Sequence, residues 1–492
     1  MAENLGSLDV LRKKWGVPLA VAAALLVWIL PTPTGLELQG HKALVVFAGV
    51  FVLYLTEALS LPVTSILIVP LCALWSLTTP AKALAPFAST SVFLLIGAFI
   101  LAVAMVKTRL AERITYVIMS AIGSSARNLT IGVTLANVVL AFLVPSSTAR
   151  TAILLPVCAA IISLYGVEGR TKFSVNLLLT LAFTNATISA GILTATVPNP
   201  VTIDFIVKAG GPSINYIEWF KYGFPPAVIM TVLTWAFIQI LYRPEQKEIP
   251  GGSAHVAENL AKMGPMTGDE KRTLLVFALV VFMWITGSWT RINSTIACLL
   301  GTVLLMVPRF GVITWKEAEK GVSWQIAMIT GGGMALGGVL TQTGAAKWIA
   351  NSIFQALGLG GLSMVMVLIV VLVIIQYMHL FFVGTTVMLT ALMPIVMGIA
   401  ESANLPPALL GMPVGMIIGG YPLLMFYNTL PNIMAYDTGK IAVMISPKQQ
   451  KQYCGIIKFI SQCCFSYSNR YSMSRLLAAK HTGQYLVAPR WT

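Results

Sequence analysis

Val144–Pro156 reads VPSSTARTAILLP and Val383–Pro394 reads VGTTVMLTALMP. Each lies in the middle of a long apolar stretch, 129–160 and 362–400, and interrupts it with small polar residues. The first interruption carries Ser146, Ser147, Thr148, Arg150 and Thr151; the second carries Gly384, Thr385, Thr386 and Thr390. Inside a bilayer, backbone that leaves the helix is tolerated only where protein buries it or where it lines a cavity. Each stretch is therefore expected to enter the membrane, turn at the polar residues and leave on the side it entered.

Two further interruptions share this pattern. Thr196–Asn199 (TVPN) and Thr429–Asn432 (TLPN) fall inside apolar spans at 175–207 and 406–436. Pro198 and Pro431 lack a backbone N–H and disturb a helix. Carbonyls freed there suit a cation, and helix ends with free N–H groups suit an anion. A segment from Phe93 (FLLIGAFILAVAMVKTRLAERI) precedes the first hairpin, and one from Ala327 (AMITGGGMALGGVLTQTGAAKWI) precedes the second. The same landmarks thus occur twice in the same order. The expected repeats are 42–242 and 272–440, preceded by an N-terminal segment with a first transmembrane helix (1–41) and separated by a Gly/Pro-containing cytoplasmic linker at 243–271. An odd number of crossings in each half makes the repeats inverted, a plan common among secondary transporters.

Composition fixes the class. Of 492 residues, 57% are apolar and 10% charged, against about 25% charged in a soluble protein. The expectation is an all-α polytopic membrane protein with about 11 transmembrane helices, the last atypical. With the N-terminus in the cytoplasm, 18 basic residues fall on the cytoplasmic side and six outside, as the positive-inside rule requires. The net charge of +15 therefore reports topology rather than nucleic-acid binding. Six scattered Cys lack metal-ligand spacing, and no GxxxxGK[ST] loop occurs. An enzyme, an ATP-driven pump and a metal centre are not expected. Gly331-Gly332-Gly333 reads as close helix packing. His379 reads as a packed, hydrogen-bonded histidine.

Leu53–Leu67 (LYLTEALSLPVTSIL), the two hairpin motifs, and the TVPN/TLPN pair followed by Tyr436–Lys440 (YDTGK) together resemble the divalent anion:sodium symporter family, over about 15–440. That family includes bacterial di- and tricarboxylate carriers and citrate/succinate-type exchangers. The resemblance implies a homodimer whose transport domain moves as an elevator past a scaffold, and Na+ as the coupling ion with no cofactor. It implies a substrate site from Ser147, Thr148, Thr196, Pro198, Asn199, Thr385, Thr386, Thr429, Pro431 and Asn432. The implied ion site comprises Ser146, Ser147, Ala195, Gly384, Thr385 and Asn428. The family's hairpin tips carry Ser-Asn-Thr, whereas Ser147 and Thr385 stand here at the Asn positions. Na+-independent exchange is therefore the alternative to symport, with a sulfate carrier and an anion channel ranked lower. Arg150 is expected to snorkel or to pair within the scaffold, with a substrate carboxylate as the other partner considered. Glu57 is a second candidate intramembrane charge. The expected location is the plasma membrane, a bacterial inner membrane. The tail 441–492 holds seven Lys/Arg and no acid, and is expected to be a basic segment displaced in frame after about Ile445.

Overall fold

A computed structural model describes residues 7–441, apart from 124, 166–168, 250 and 251. The tail expected to be frame-shifted lies outside the described residues. Among those described, the chain is helical, with one isolated β-bridge between Ser125 and Glu248.

The first part comprises α1 (Ser7–Ile29), α2 (Leu38–Thr56), α3 (Leu61–Leu74), α4 (Pro80–Leu84), α5 (Thr90–Lys107), α6 (Leu110–Ser120), α7 (Ala126–Leu143), α8 (Ser147–Leu164), α9 (Lys172–Ser189), α10 (Pro198–Lys208) and α11 (Tyr216–Leu241). In the linker lies α12 (Gly252–Lys262). Then follow α13 (Gly268–Thr290), α14 (Ser294–Leu304), α15 (Trp315–Gly321), α16 (Trp324–Gln342), α17 (Ala345–Ala356), α18 (Met364–Met378), α19 (Thr385–Ser402), α20 (Pro407–Gly420) and α21 (Leu430–Asp437). Among the described residues, seven helical segments are long and apolar enough to cross a membrane, and four shorter helices are also apolar. The chain is a multi-pass membrane protein.

The order α2–α10 is matched by α13–α21, and packing partners swap between the two sets. Helix α3 packs on α16, and α14 on α5. Helix α10 packs on α19 and α20, and α21 on α8 and α9. Both interrupted stretches form helix–loop–helix units, α7–α8 and α18–α19, whose second helices start at the polar residues.

Local chemistry sets those starts. Ser146 is extended, and its Oγ accepts the Ala149 N–H at 3.2 Å, capping α8. Gly384 opens α19 at φ +97°, a region that a Cβ penalises, and gives no side-chain cap. Pro198 and Pro431 occupy the first turns of α10 and α21, where a missing N–H costs nothing. The prolines therefore begin new helices after full breaks, at 190–197 and 421–429.

The glycine run lets backbones approach. A Cβ on Gly332 would lie 2.3 Å from the Ser65 carbonyl oxygen on α3, and one on Gly333 equally close to Thr390 on α19. This is close packing of the kind small residues permit.

The linker is tied to the bundle. Arg113 on α6 donates to both Glu270 carboxylate oxygens and to the carbonyls of Met263, Gly264 and Pro265. Glu245 accepts the N–H groups of Lys172 and Phe173 at the start of α9, at 2.6 and 3.2 Å, and the Tyr165 hydroxyl. Burial alone raises the Glu245 pKa, but these donors outweigh it and hold it below the ordinary 4.5. A carboxylate at a helix N-terminus on the protein surface stabilises by about 0.5 kcal/mol. The contribution is complete above the unfolded-state pKa and disappears as pH falls through the lower folded value. Glu245→Gln should therefore lower the melting temperature slightly at pH 7, with the gap closing below about pH 4.5. A gap that widens on acidification would contradict this capping role.

Candidate functional site: two hairpin tips on two broken helices

Helix α9 carries the polar framework. It is buried almost throughout, including Asn176, Thr180, Thr184, Asn185, Thr187 and Ser189. Asn137 on α7 donates to Leu181 O and Thr184 Oγ1. Asn185 Nδ2 donates to Ser147 O and Thr151 Oγ1, both at 2.8 Å, fixing the first hairpin's tip against α9.

Arg150 completes that join. Its side chain is 0% exposed. Nε donates to Asn185 Oδ1 at 2.8 Å; Nη1 donates to Val144 O at 2.6 Å and Ala195 O at 3.3 Å; Nη2 donates to Ala195 O at 3.3 Å and to Ser189 Oγ. A guanidinium has five N–H donors, and these contacts engage all of them. The expectation of snorkelling is corrected, because burial removes any path to water. Pairing with a substrate carboxylate is corrected too, since no donor remains. The partners present are neutral oxygens of the first hairpin, of α9 and of the break that follows it.

The second half makes the corresponding join with a neutral side chain. Asn428 Nδ2 donates to His379 O and to Phe382 O, while its Oδ1 accepts the Met425 N–H at 2.8 Å. Tyr427 Oη donates to Leu380 O, and Gln376 Nε2 to Tyr421 O. His379 is 1% exposed, with its ring nitrogens 3.2 Å from Gln376 O and 3.4 Å from Ile418 O. That is the packed histidine expected.

The Pro-Asn residues adopt one geometry twice. Asn199 Nδ2 donates to Ser189 O and Ile192 O, ten and seven residues back; Asn432 Nδ2 donates to Pro422 O and Met425 O, at the same separations. Each amide thus spans its own break and satisfies carbonyls that the helix end leaves open. In both residues Oδ1 is buried without a hydrogen-bond partner. Since the N–H groups are spent, each Asn presents only an acceptor, which suits a cation and repels a carboxylate. The two breaks also abut: a Cβ on Gly419, before the second break, would lie 3.0 Å from Pro198 Cβ and 3.2 Å from Thr196 Cγ2.

The hairpin tips differ from this closed framework. Ser147, Thr148, Thr385 and Thr386 are half-buried, and among the described residues their hydroxyls have no hydrogen-bond partner. They stand in the first turns of α8 and α19, each 18 residues long. Helix N-termini attract anions through unpaired N–H groups and the helix dipole. Gly384 adds no cap, so the first turn of α19 keeps its N–H groups free of side-chain acceptors. Thr196 is 7% exposed, and Thr429 Oγ1 accepts the Asn432 N–H at 3.3 Å. Glu57 lies elsewhere, at the left-handed C-cap of α2 (φ 48°), with its N–H on Leu53 O.

Sequence reasoning missed Asn137, Asn185, Ser189 and Trp219. Asn185 and Ser189 had a legible signal: amides and hydroxyls recur along α9, which is buried almost throughout. Trp219 had none, as one more aromatic in an apolar span.

Na+ binds through oxygen, commonly unwound-helix carbonyls. Each half keeps one open amide oxygen at its break, Asn199 Oδ1 in the first and Asn432 Oδ1 in the second. In the first half the Ala195 and Val144 carbonyls already receive the Arg150 guanidinium, so the oxygens present do not fit a further cation well.

Residues 11–456 match the family described as the sodium:sulfate symporter transmembrane region. A "Membrane protein" of Cupriavidus necator is 31% identical over 404 residues, covering 79% of each chain. A sodium-dependent dicarboxylate transporter, SdcS, of Staphylococcus saprophyticus is 26% identical, covering 87% of this chain and 86% of its own. The chloroplastic dicarboxylate transporter 1 of Spinacia oleracea is 28% identical, covering 79% of this chain and 69% of its own. With hairpin tips, broken helices and apolar spans in place along that matched length, the chain belongs to the sodium:sulfate symporter family of membrane transporters, the divalent anion:sodium symporters.

Proposed function

We propose that this protein carries a small dicarboxylate across the membrane together with Na+. The observation that carries the reading is the set of four unpartnered hydroxyls, Ser147, Thr148, Thr385 and Thr386, at two helix N-termini otherwise tied to broken helices. Two such tips offer donors to the two carboxylates of one dianion. Thr196 and Thr429 border the same breaks, and Pro198 and Pro431 free the backbone there. Asn199 and Asn432 hold the breaks in shape, and Asn432 leaves an acceptor oxygen for the cation. Relatives named as sodium-dependent dicarboxylate transporters support the substrate class and the ion.

The swapped packing of α2–α10 and α13–α21 supports two inverted repeats. Alternating access then follows by an elevator, in which hairpins and broken helices travel as one body in each protomer of a homodimer. The protein resides in the plasma membrane with its N-terminus in the cytoplasm. Purified protein in liposomes should accumulate labelled succinate when an inward Na+ gradient is imposed. Uptake equal in choline and sodium would end the symport reading.

Na+-independent carboxylate exchange is the second reading, favoured by Arg150, whose fixed charge sits where a coupling cation is expected. It requires counter-substrate inside the vesicle, so net uptake into empty liposomes excludes it.

A further inference from the structure

We infer that Asp204, on the half-helix α10, is a proton-binding site, and that the travelling body slides past the rest of the bundle only while this carboxyl is protonated. Such gating goes beyond dicarboxylate carriage and rests on the elevator reading for which helices move.

A cavity of about 1200 Å³ is lined by α10 and α19 and by α5 and α16, and Asp204 faces into it. Helix α10 starts at the first break and α19 at the second hairpin tip. In an elevator these two travel, while α5 and α16 belong to neither a hairpin nor a broken helix. Asp204 therefore sits on the moving side of a boundary. Its Oδ2 is buried without a hydrogen-bond partner, and among the described residues the side chain makes no ion pair. Ser91, on the same cavity, has one O–H proton to give, and donates it to Pro200 O at 3.0 Å. Lys208, one turn beyond Asp204, is exposed, with Nζ 6.0 Å from the centre of the Phe205 ring. The other charged side chains on the cavity are Lys82 on α4 and the pair Lys347–Glu401, which joins α17 to α19 at 2.7 Å. Helix α16, and α20 where it packs on α10, carry no titratable side chain.

Burying an ionised carboxylate costs much unless it is paired and hydrogen-bonded. Carrying that charge along apolar walls such as Leu94, Met334 and Val339 costs more, since intramembrane charge is disfavoured wherever water is left behind. Protonation removes both costs. A hydronium ion in the cavity gives its proton to the open oxygen, one O–H bond forms, a water molecule is left, and the carboxyl becomes neutral. After the crossing the proton returns to water.

The test uses the purified full-length protein in liposomes, with labelled succinate as the probe and Asp204→Asn and Lys208→Gln as variants. Succinate itself titrates, so rates are compared between proteins at each pH. The Asp204→Asn rate divided by the wild-type rate should climb with pH, approaching about tenfold per pH unit for one proton. Lys208→Gln should keep the wild-type profile. Parallel profiles in wild type and Asp204→Asn would overturn the inference. So would a Lys208→Gln profile that copies Asp204→Asn, because Asp204 would then act as the partner of Lys208. Infrared difference spectra read the site without transport: on acidification the wild type should gain a carboxylic C=O band that Asp204→Asn lacks, and a wild type without that band removes the inference. Should Asp204→Asn not fold, wild-type uptake at a fixed concentration of succinate dianion decides: a rate that falls as pH rises supports proton gating, and a constant rate ends it. The Asp204 band in a protein that takes up no succinate, with a Na+ gradient or with counter-substrate, removes the dicarboxylate reading while keeping the proton site.

Discussion

Thr148→Val and Thr386→Val, made separately, are each expected to cut succinate uptake by about two orders of magnitude while leaving the folded protein as stable as wild type. A hydrogen bond to a charged group contributes about 1.5–3 kcal/mol, or about 10- to 150-fold in affinity. Valine nearly matches threonine in volume and deletes only the hydroxyl. Neither hydroxyl has a protein partner among the described residues, so the folded state loses no hydrogen bond. Both residues follow the helix start, so α8 keeps its Ser146 cap. Ser146→Ala is the contrasting control, costing about 1 kcal/mol of stability by removing that cap. Liposome uptake and melting temperature, read on the same preparations, separate the two effects. Full uptake in both valine variants would place the substrate elsewhere.

Trp219→Ala is expected to have the largest effect on stability, about 3–5 kcal/mol, the usual cost of deleting a fully buried large aromatic. Trp219 on α11 is 0% exposed, and its indole N–H donates to Ala190 O at 3.0 Å, the carbonyl just past the end of α9. A Cβ on the adjacent Gly191 would lie 2.7 Å from Phe224 Cα, so α11 and the first break sit in close contact. Removing the indole opens a cavity and leaves Ala190 O without that donor. Trp219→Phe keeps most of the volume and loses the donor, and should cost about 1–3 kcal/mol. Unfolding in graded denaturant measures both. Transport should fall in Trp219→Ala even in the folded fraction, because Trp219 braces the break that carries Thr196 and Asn199. A Trp219→Ala protein as stable as wild type would show that α11 does not hold the break.

The hairpins and breaks were legible in the chain because the causes are local. Proline has no N–H, glycine tolerates φ +97°, and serine or threonine caps a turn begun a few residues away. Such chemistry acts over one helical turn and leaves its mark in the letters. Composition likewise determined the membrane class. The roles of individual polar residues were less legible. The resemblance placed Asn199 and Asn432 in the substrate site; the structure spends their N–H groups on carbonyls seven and ten residues back. Even that short reach depends on how the chain folds across the break.

By itself, then, the sequence determined an all-helical membrane transporter with two polar interruptions and two spans disturbed by proline. The tertiary structure alone decided what Arg150 does. Its partners Asn185, Ser189 and Ala195 lie 35 to 45 residues away. A buried charge takes its meaning from whichever oxygens the fold brings within hydrogen-bond distance, and no local pattern encodes that.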